Sequence, residues 1–242
     1  MEKTVSEAIA YRRAVRVFRD TPLDHEKVKQ CIANGVLAPT SSNLQLWEFI
    51  HVTSPELLGR LTVACFGQNA AKTAQQVVVV VARRDAWRQR ARANITFLKE
   101  QFNGVTGKKW ERRERFAMKY YRNLIPTLYT EFFGLLGWLR YLFFGALGLF
   151  RPVYRQVRLS DMRVVAHKSA ALAAENFMVS MAAVGYDTCP MEGFDSMRVK
   201  RVLNLPAGAE ITMVIGCGIR DGEKGVYGPR FRIPFEEVYR HL

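Results

Sequence analysis

Val77-Val78-Val79-Val80-Val81-Ala82 is a run of five consecutive β-branched residues followed by alanine. A continuous apolar run of this length is typical of a strand that is buried on both faces of a sheet. We therefore predict a central strand over residues 77–82. Because both faces of such a sheet need apolar cover, we expect helices on each side of it.

Helix and strand signals alternate on both sides of this run. Thr4 and Glu7 form a capping-box pattern, and Asp24 is placed to cap a second helix that Pro39 ends. The other predicted elements are a strand at Trp47–Val52, a helix from Ser54-Pro55, a long helix from Ser160-Asp161 to Val184, a turn at 190–193 and a strand at 211–217. The alternation predicts one layered domain over residues 1–242.

The charge of the chain is strongly positive. It carries 36 Lys and Arg residues against 22 Asp and Glu residues, a net charge of +14. This surplus indicates an anionic partner, which composition leaves open as a phosphate-bearing cofactor, an acidic membrane surface or nucleic acid. The four cysteines form no CxxC pair and lie near no histidine at ligand spacing, so we predict no metal site. The N-terminus lacks the apolar segment of a secretory signal, so we expect a cytoplasmic protein.

Residues 83–159 differ from the rest of the chain. Their first part is strongly basic, and residues 128–150 are apolar and aromatic with Glu131 and Arg140 as interruptions. Small residues that favour close helix–helix contact recur near one side of a helix in this part: Gly134, Gly137, Gly145 and Gly148. Three alternatives stay open: a buried helical hairpin or dimer contact, a helix lying on the inner membrane surface, and a membrane span, which the two charges disfavour.

Several common chemistries lack their sequence signals. No GxGxxG motif follows a strand, and there is no P-loop, no GxSxG motif and no grouping typical of a Ser-His-Asp triad. The four histidines are isolated from one another and from the cysteines. We therefore expect a cofactor that brings its own reactivity.

Five short motifs occur in an order that resembles the nitroreductase-like FMN enzymes. They are Arg12-Arg13-Ala14-Val15-Arg16-Val17-Phe18, Ala38-Pro39-Thr40-Ser41-Ser42-Asn43-Leu44-Gln45-Leu46-Trp47, Asn69-x-x-Lys72, Pro190-Met191-Glu192-Gly193-Phe194-Asp195 and Arg230-x-Arg232-Ile233-Pro234. Each motif alone is typical of an ordinary turn or a solvated helix end. The ordered set covers about residues 1–82 and 160–242, and it is the order that carries the resemblance.

The resemblance implies a fold and an assembly. The expected fold is of the α+β class, a three-layer α/β/α sandwich around a central mixed, mainly antiparallel sheet. The protein is expected to be a homodimer, with residues 83–159 as an unusual helical insert. The chain departs from the family pattern at Ala14, where a serine is common, and at Leu46, where a proline is usual. These departures remove one flavin hydrogen bond and one rigid loop position.

The resemblance also implies an FMN site built from both ends of the chain. Guanidinium groups suit the FMN phosphate because they bond in pairs, and Arg12, Arg16, Arg230 and Arg232 would supply them. Arg13 or Lys72 would place positive charge near the flavin pyrimidine edge. The remaining expected cofactor contacts are Ala14, the loop of Pro39, Thr40, Ser41 and Asn43 reaching across the dimer, Asn69, and a turn of Pro190, Met191, Glu192 and Gly193 near flavin N5.

The activity implied by the resemblance is ping-pong hydride transfer from NADH or NADPH, through flavin N5, to an aromatic, nitro or quinone acceptor. Our hypothesis is that the aromatic residues of 132–150 admit a lipophilic acceptor. Two alternatives stay open: reductive dehalogenation or flavin fragmentation on the same fold, and a non-enzymatic basic module that binds anionic lipid or nucleic acid. Nucleic acid is not expected, since no helix-turn-helix, zinc finger or aromatic RNA-binding motif is present.

Overall fold

The computed structural model describes residues 2–105 and 107–242, and one antiparallel sheet lies at the centre of that part of the chain. Trp47–Val52 (β1), Gln76–Ala82 (β2), Asp187–Met191 (β3) and Glu210–Gly218 (β4) form it in the order β1-β2-β4-β3. β2 pairs antiparallel with both β1 and β4, and all seven of its residues are buried. The predicted central strand is therefore confirmed. A parallel bridge joins Ala14 to Thr188 at the β3 edge.

The helices surround this sheet and extend beyond one end of it. They are Val5–Tyr11 (α1), His25–Gly35 (α2), Pro55–Ala64 (α3), Asn69–Lys72 (α4), Trp87–Phe102 (α5), Lys108–Lys119 (α6), Ile125–Tyr129 (α7), Leu135–Leu147 (α8), Leu159–Ala183 (α9), Ser196–Val202 (α10) and Phe235–Val238 (α11).

The alternation of side chains along β2 divides the core into two layers. Val78 and Val80 pack with Phe177 of α9 and with α2, whereas Val77 and Val79 pack with Leu61 of α3 and with α4 and α10. Successive side chains of a strand point to opposite faces, so one apolar run serves both layers. The three-layer α/β/α sandwich of the α+β class is confirmed.

The predicted helix ends are mostly confirmed. Thr4 and Glu7 form the capping box of α1, and the Asp24 carboxylate accepts hydrogen bonds from the first turn of α2. α2 ends at Gly35, before Pro39, because the chain turns there. α9 begins at Leu159 with Asp161 as its third residue, where the carboxylate accepts from the Arg158 backbone N–H at 3.0 Å.

The region of residues 83–159 is helical, and its inner side packs on the main body. Trp87, Ile125 and Tyr129 are buried against Ala82 at the end of β2 and Met162 of α9. Within residues 2–105 and 107–242, no helix combines the length and the hydropathy that crossing a membrane requires.

The outer helix of this region bears on two predictions. Leu142 and Phe143 of α8 are each 63% exposed, so α8 is not buried within its own chain, and the dimer contact and the membrane-surface helix stay open. The predicted close helix contact of the glycines is found only in part, since a Cβ on Gly134 or Gly145 would meet nothing within 4 Å, whereas Gly137 lies against the first residue of α9. A Cβ on Gly137 would lie 3.0 Å from the backbone N of Leu159, and one on Gly148 would meet Arg155, because the 153–159 segment folds back against α8.

Candidate functional site

Arginines from opposite ends of the chain meet around one surface cavity. The cavity has a volume of about 370 Å³ and is lined by Arg12, Arg13, Ala14, Arg16, Val226, Tyr227, Pro229, Arg230, Phe231 and Arg232. We call it the arginine cavity. It brings together all five arginines that the sequence motifs singled out, although more than 200 residues separate the two groups.

The N-terminal arginines are placed by an extended segment that follows α1. The backbone N–H of Val15 donates to Thr188 O of β3 at 3.1 Å, beside the Ala14–Thr188 bridge. The backbone N–H of Arg16 donates to Gly225 O at 2.7 Å. Residues 12–16 therefore run between the edge of the sheet and the segment that leads to the C-terminal arginines.

The C-terminal segment is held to the N-terminal one by the arginines themselves. Arg230 Nη2 donates to Ala10 O at 2.9 Å and also to Arg12 O. Arg13 Nη2 donates to Gly228 O at 2.8 Å. Because the guanidinium groups of Arg13 and Arg230 satisfy backbone carbonyls, the two segments keep a fixed relation.

The electrostatics of the arginine cavity favour an anion. None of the described residues that line it is acidic, and the ion pair nearest to it joins Arg12 Nε to Glu175 of α9 at 3.3 Å. Partial desolvation and then the positive charges of Arg13, Arg232 and Arg12 lower the pKa of Arg230. Like charges gathered in this way make a concave surface at which a phosphate is stabilised by several donors.

The short helix α4 connects the arginine cavity with the end of β3. Asn69 Nδ2 donates to the hydroxyl of Tyr227, which lines the cavity, at 3.2 Å. Gln68 Nε2 donates to Gly193 O at 2.6 Å. Lys72 is exposed at the end of α4. Asn69, Lys72 and Gly193 therefore lie along one side of the candidate site.

The predicted turn at 190–193 is partly wrong. Pro190 and Met191 belong to β3 and pair with Ile215 and Val214, so the chain leaves the sheet only after Met191. Met191 is buried among core residues of the α3 layer. Glu192 lines a different surface cavity, together with Arg163 and His167, and its side chain is not brought to the arginine cavity.

The Pro39–Asn43 loop also lies away from the arginine cavity of its own chain. The backbone N–H of Ser41 faces Ser169 Oγ at 3.5 Å, whereas Arg12 pairs with Glu175. Six residues along α9 separate these two contacts by about 9 Å and place them on different sides of the helix. Pro39 is exposed, and Thr40 Oγ1 accepts from the backbone N–H of Gln45 at 3.2 Å.

A second cavity begins at this loop. It has a volume of about 310 Å³ and is lined by Ser41, Ser42, Tyr120, Leu124, Leu128, Tyr129, Phe144, Tyr154, Val157, Met162 and Val165. We call it the tyrosine cavity. The hydroxyls of Ser42 and Tyr120 lie 2.6 Å apart, and Tyr121 donates to Ser42 O at 2.9 Å. Its walls are mainly apolar and come from residues 120–124, from α7, α8 and α9, and from the segment that precedes α9.

The cysteines and histidines offer no rival centre in the part of the chain that the structure describes. All four cysteines are buried free thiols, and burial raises the pKa of Cys65 to about 11, so its nucleophilic thiolate is suppressed. No group of three or more potential metal ligands occurs among the described residues.

Sequence reasoning missed several residues that shape the site. Gln68 and Tyr227 connect its parts, and Asn94 of α5 holds Asn43 through hydrogen bonds of 2.9 Å in both directions. Asn94 is 8% exposed on an otherwise basic helix, and a buried amide requires partners. A polar residue at an inward helix position was the one signal that could have found it.

Comparison with known proteins agrees with this geometry. A family model described as the nitroreductase family matches residues 9–219. The NADH dehydrogenase of Thermus thermophilus is 27% identical over 229 residues, which cover 94% of this chain and 90% of that protein. The crystal structure of ydfN from Bacillus subtilis superposes with a TM-score of 0.73 at 25% identity, covering 98% of both chains. A protein of Exiguobacterium sibiricum, solved in complex with FMN, superposes with a TM-score of 0.67 at 19% identity, covering 99% of this chain and 98% of that one.

Proposed function

The chain belongs to the nitroreductase family of oxidoreductases, and on that premise we propose that it is an FMN-dependent NAD(P)H oxidoreductase of the nitroreductase or quinone-reductase type. The observation that carries this proposal is the convergence of five arginines on one cavity without an acidic residue among its described lining. The FMN bound to the Exiguobacterium sibiricum protein and the name of the Thermus thermophilus relative support it. We place the reaction in the cytoplasm, where buried free thiols stay reduced.

The residues of the arginine cavity fit a phosphate-bearing cofactor. Arg12 and Arg230 are fixed by Glu175 and by backbone carbonyls, which leaves further guanidinium N–H groups for a ligand. Arg16 and Arg232 would complete a set that bonds phosphate oxygens in pairs. Ala14, which lines the cavity at the bridge to β3, has a small side chain that would let the cofactor approach the backbone closely.

Bound FMN would supply the chemistry, the transfer of hydride from NADH or NADPH to an acceptor in two half-reactions. The residues of the chain would orient the cofactor and stabilise the charge that develops on it. Lys72 or Arg13 would place positive charge where negative charge develops on the cofactor. Asn69 and the backbone at Glu192 and Gly193, where the chain has left β3, would fix the ring. No side chain of the protein needs to act as an acid or base.

We propose a homodimer in which the loop of one copy completes the site of the other. Ser41 and Asn43 are exposed and lie away from the arginine cavity of their own chain. Three residues of this loop, Ser42, Asn43 and Gln45, have φ values of 54°, 48° and 48°. Non-glycine residues hold this conformation only where the surroundings enforce it, which is typical of functional loops.

The acceptor site that we propose is the tyrosine cavity. It begins at Ser41 and Ser42, so in the proposed dimer it lies beside the cofactor to which that loop reaches. Leu128, Tyr129 and Phe144 give it apolar and aromatic walls, and the Tyr120 hydroxyl adds a polar group. This lining suits a conjugated aromatic, nitro or quinone acceptor of lipophilic character.

The test is the visible absorption spectrum of the purified protein, followed by addition of NADH or NADPH under nitrogen. We expect flavin bands that bleach with a nicotinamide donor and return when a quinone or nitroaromatic acceptor is added. A colourless protein that takes up no added FMN would overturn the proposal, and the non-enzymatic basic module would become the leading alternative.

A further inference from the structure

Helix α8 has its charge inside and its apolar residues outside. Its sequence, residues 135–147, contains one charged residue, Arg140, whose side chain is 12% exposed. Arg140 pairs with Glu131, which is also 12% exposed. Its Nη1 donates to Thr127 O at 2.8 Å and to Thr130 O at 2.9 Å. In a water-exposed helix the opposite arrangement is the norm, with the charged residue on the outer face.

The outer face of α8 is accordingly apolar and aromatic. Its exposed large residues are Leu135, Trp138, Leu139, Tyr141, Leu142 and Phe143. The surface continues at both ends of the helix, since Phe133 is 96% exposed and Phe150 is 88% exposed. A contiguous apolar surface of this kind on a water-soluble protein marks an interaction site.

Basic residues border this apolar face. The guanidinium of Arg158, which also pairs with Asp161 at 3.3 Å, lies 5.1 Å from the ring centre of Tyr141 and 5.9 Å from that of Trp138. Arg155 Nη2 donates to Gly148 O at the end of α8, and Arg151 is exposed beside it. Residues 83–158 contain 17 Lys and Arg residues against 5 Asp and Glu residues, so they carry +12 of the net charge of +14.

We propose that α8 lies flat on the surface of an anionic phospholipid bilayer, with Trp138, Leu142 and Phe143 inserted among the lipids. The apolar face inserts among the lipid chains, and the bordering arginines contact the lipid phosphates. Trp138 and Tyr141 carry aromatic rings with a polar edge, the side chains that prefer the interface of a membrane. A second copy of the chain is a poorer occupant, because twofold pairing of α8 would bring two strongly basic regions together. This proposal does not depend on the flavin.

The test is flotation of the full-length protein with phosphatidylcholine vesicles, with and without phosphatidylglycerol. We expect binding to the anionic vesicles that weakens as NaCl is raised. The variant Leu142→Gln/Phe143→Gln should bind at least about tenfold more weakly, since two inserted side chains are lost. The matched control is Val63→Gln/Met197→Gln, which changes two residues with similar exposure, 62% and 71%, elsewhere on the surface and should bind like the unchanged protein.

A second readout locates the contact directly. Brominated lipids should quench the tryptophan fluorescence of the unchanged protein, and the Trp138→Phe variant should lose most of this quenching. Circular dichroism of both variants checks that the fold is kept. Equal vesicle binding by the Leu142→Gln/Phe143→Gln variant would overturn the proposal. The proposal would also be overturned if light scattering showed that this variant changes the oligomeric state and not the vesicle binding, because a second copy of the chain would then cover the face.

Discussion

Arg220 and Asp187 form a paired contact next to the residue that precedes Arg12. Arg220 Nε donates to Asp187 Oδ1 at 2.9 Å, and its backbone N–H donates to Oδ2 at 2.8 Å. The same guanidinium lies 4.2 Å from the ring centre of Tyr11 and donates to Tyr11 O at 3.2 Å. This one pair therefore connects the start of β3, the chain after β4 and the residue that precedes Arg12.

The Asp187→Asn variant should lower the free energy of unfolding by about 2 kcal/mol. The carboxylate is 1% exposed, and its loss leaves Arg220 without its charged partner. Because the Arg220 side chain is 26% exposed, water compensates in part, and the loss stays below the roughly 3–5 kcal/mol of a fully buried pair. Urea denaturation measures the change. Asp20→Asn, at an exposed position, is the control, and equal stabilities of the two variants would contradict the prediction.

The Arg232→Gln variant should raise the dissociation constant for FMN about tenfold or more, the usual value of a charge-assisted hydrogen bond. Arg232 is suited to this test because its Nη1 contacts only the neighbouring Phe231 O, at 2.7 Å, among the described residues. Arg230 is less suited, since it also holds the N-terminal segment. Quenching of FMN fluorescence on titration gives the constant. The control is Arg240→Gln near the C-terminus, and equal affinities of the two variants would exclude Arg232 from the site.

The sandwich could be predicted from the sequence because its signals are local. A β-branched run, a capping box and a Pro at a helix start each act within a few residues. The meeting of Arg12 with Arg230 could not be derived in this way, because 218 residues separate them. Only the ordered resemblance to a family indicated that these two segments belong together.

The errors have physical causes as well. The turn at 190–193 was predicted from Pro190, but the missing N–H of a proline is tolerated in β3 because β3 is an edge strand. The periodicity of the sequence could not predict which side of α8 faces the protein, because apolar residues occur nearly all around this helix. Its orientation depends on Arg140, which pairs with Glu131 and also donates to backbone carbonyls that no side-chain pattern reveals.

The stability of the protein should fall as the pH is lowered from about 7 to about 5, in part through His51. Gln76 Nε2 donates to Leu23 O, so Gln76 Oε1 accepts from His51 Nε2 at 2.6 Å. Burial, with a smaller contribution from the charge of His25 stacked 4.7 Å away, lowers the pKa of His51. The unfolded chain then binds a proton below about pH 6.5 that the folded chain resists, so stability is present above that pH and lost below it.

Thermal unfolding across this pH range checks the assignment to His51. The His51→Gln variant should lose less stability on acidification than the unchanged protein does. His241→Gln, at the exposed C-terminus, should follow the unchanged protein. An acid-induced loss of the same size in all three proteins would show that other groups cause it.

The Asn94→Leu variant should cost about 1–3 kcal/mol of stability, because it removes both hydrogen bonds that join the buried Asn94 amide to Asn43. It should also weaken FMN binding, since the loop that holds Ser42 and Asn43 at positive φ relaxes. Denaturation and the flavin content of the purified protein measure the two effects. Gln89→Leu, at an exposed position on α5, is the control. If the destabilised variant keeps its flavin content, the loop does not contribute to FMN binding.

The Leu124→Trp variant should slow the acceptor half-reaction and leave the donor half-reaction unchanged. Leu124 lines the tyrosine cavity and is 44% exposed, so a larger side chain fills the cavity without disturbing the core. In a ping-pong reaction the two halves are measured separately: bleaching by NADH or NADPH under nitrogen, and return of the flavin bands with a lipophilic quinone. We expect the second rate, at a fixed low quinone concentration, to fall about tenfold, the usual effect of steric loss in an apolar pocket.

Val63→Trp, at an exposed position on α3, is the control and should change neither rate. If Leu124→Trp slows both half-reactions equally, the tyrosine cavity is shared by donor and acceptor; if it slows neither, the acceptor binds elsewhere.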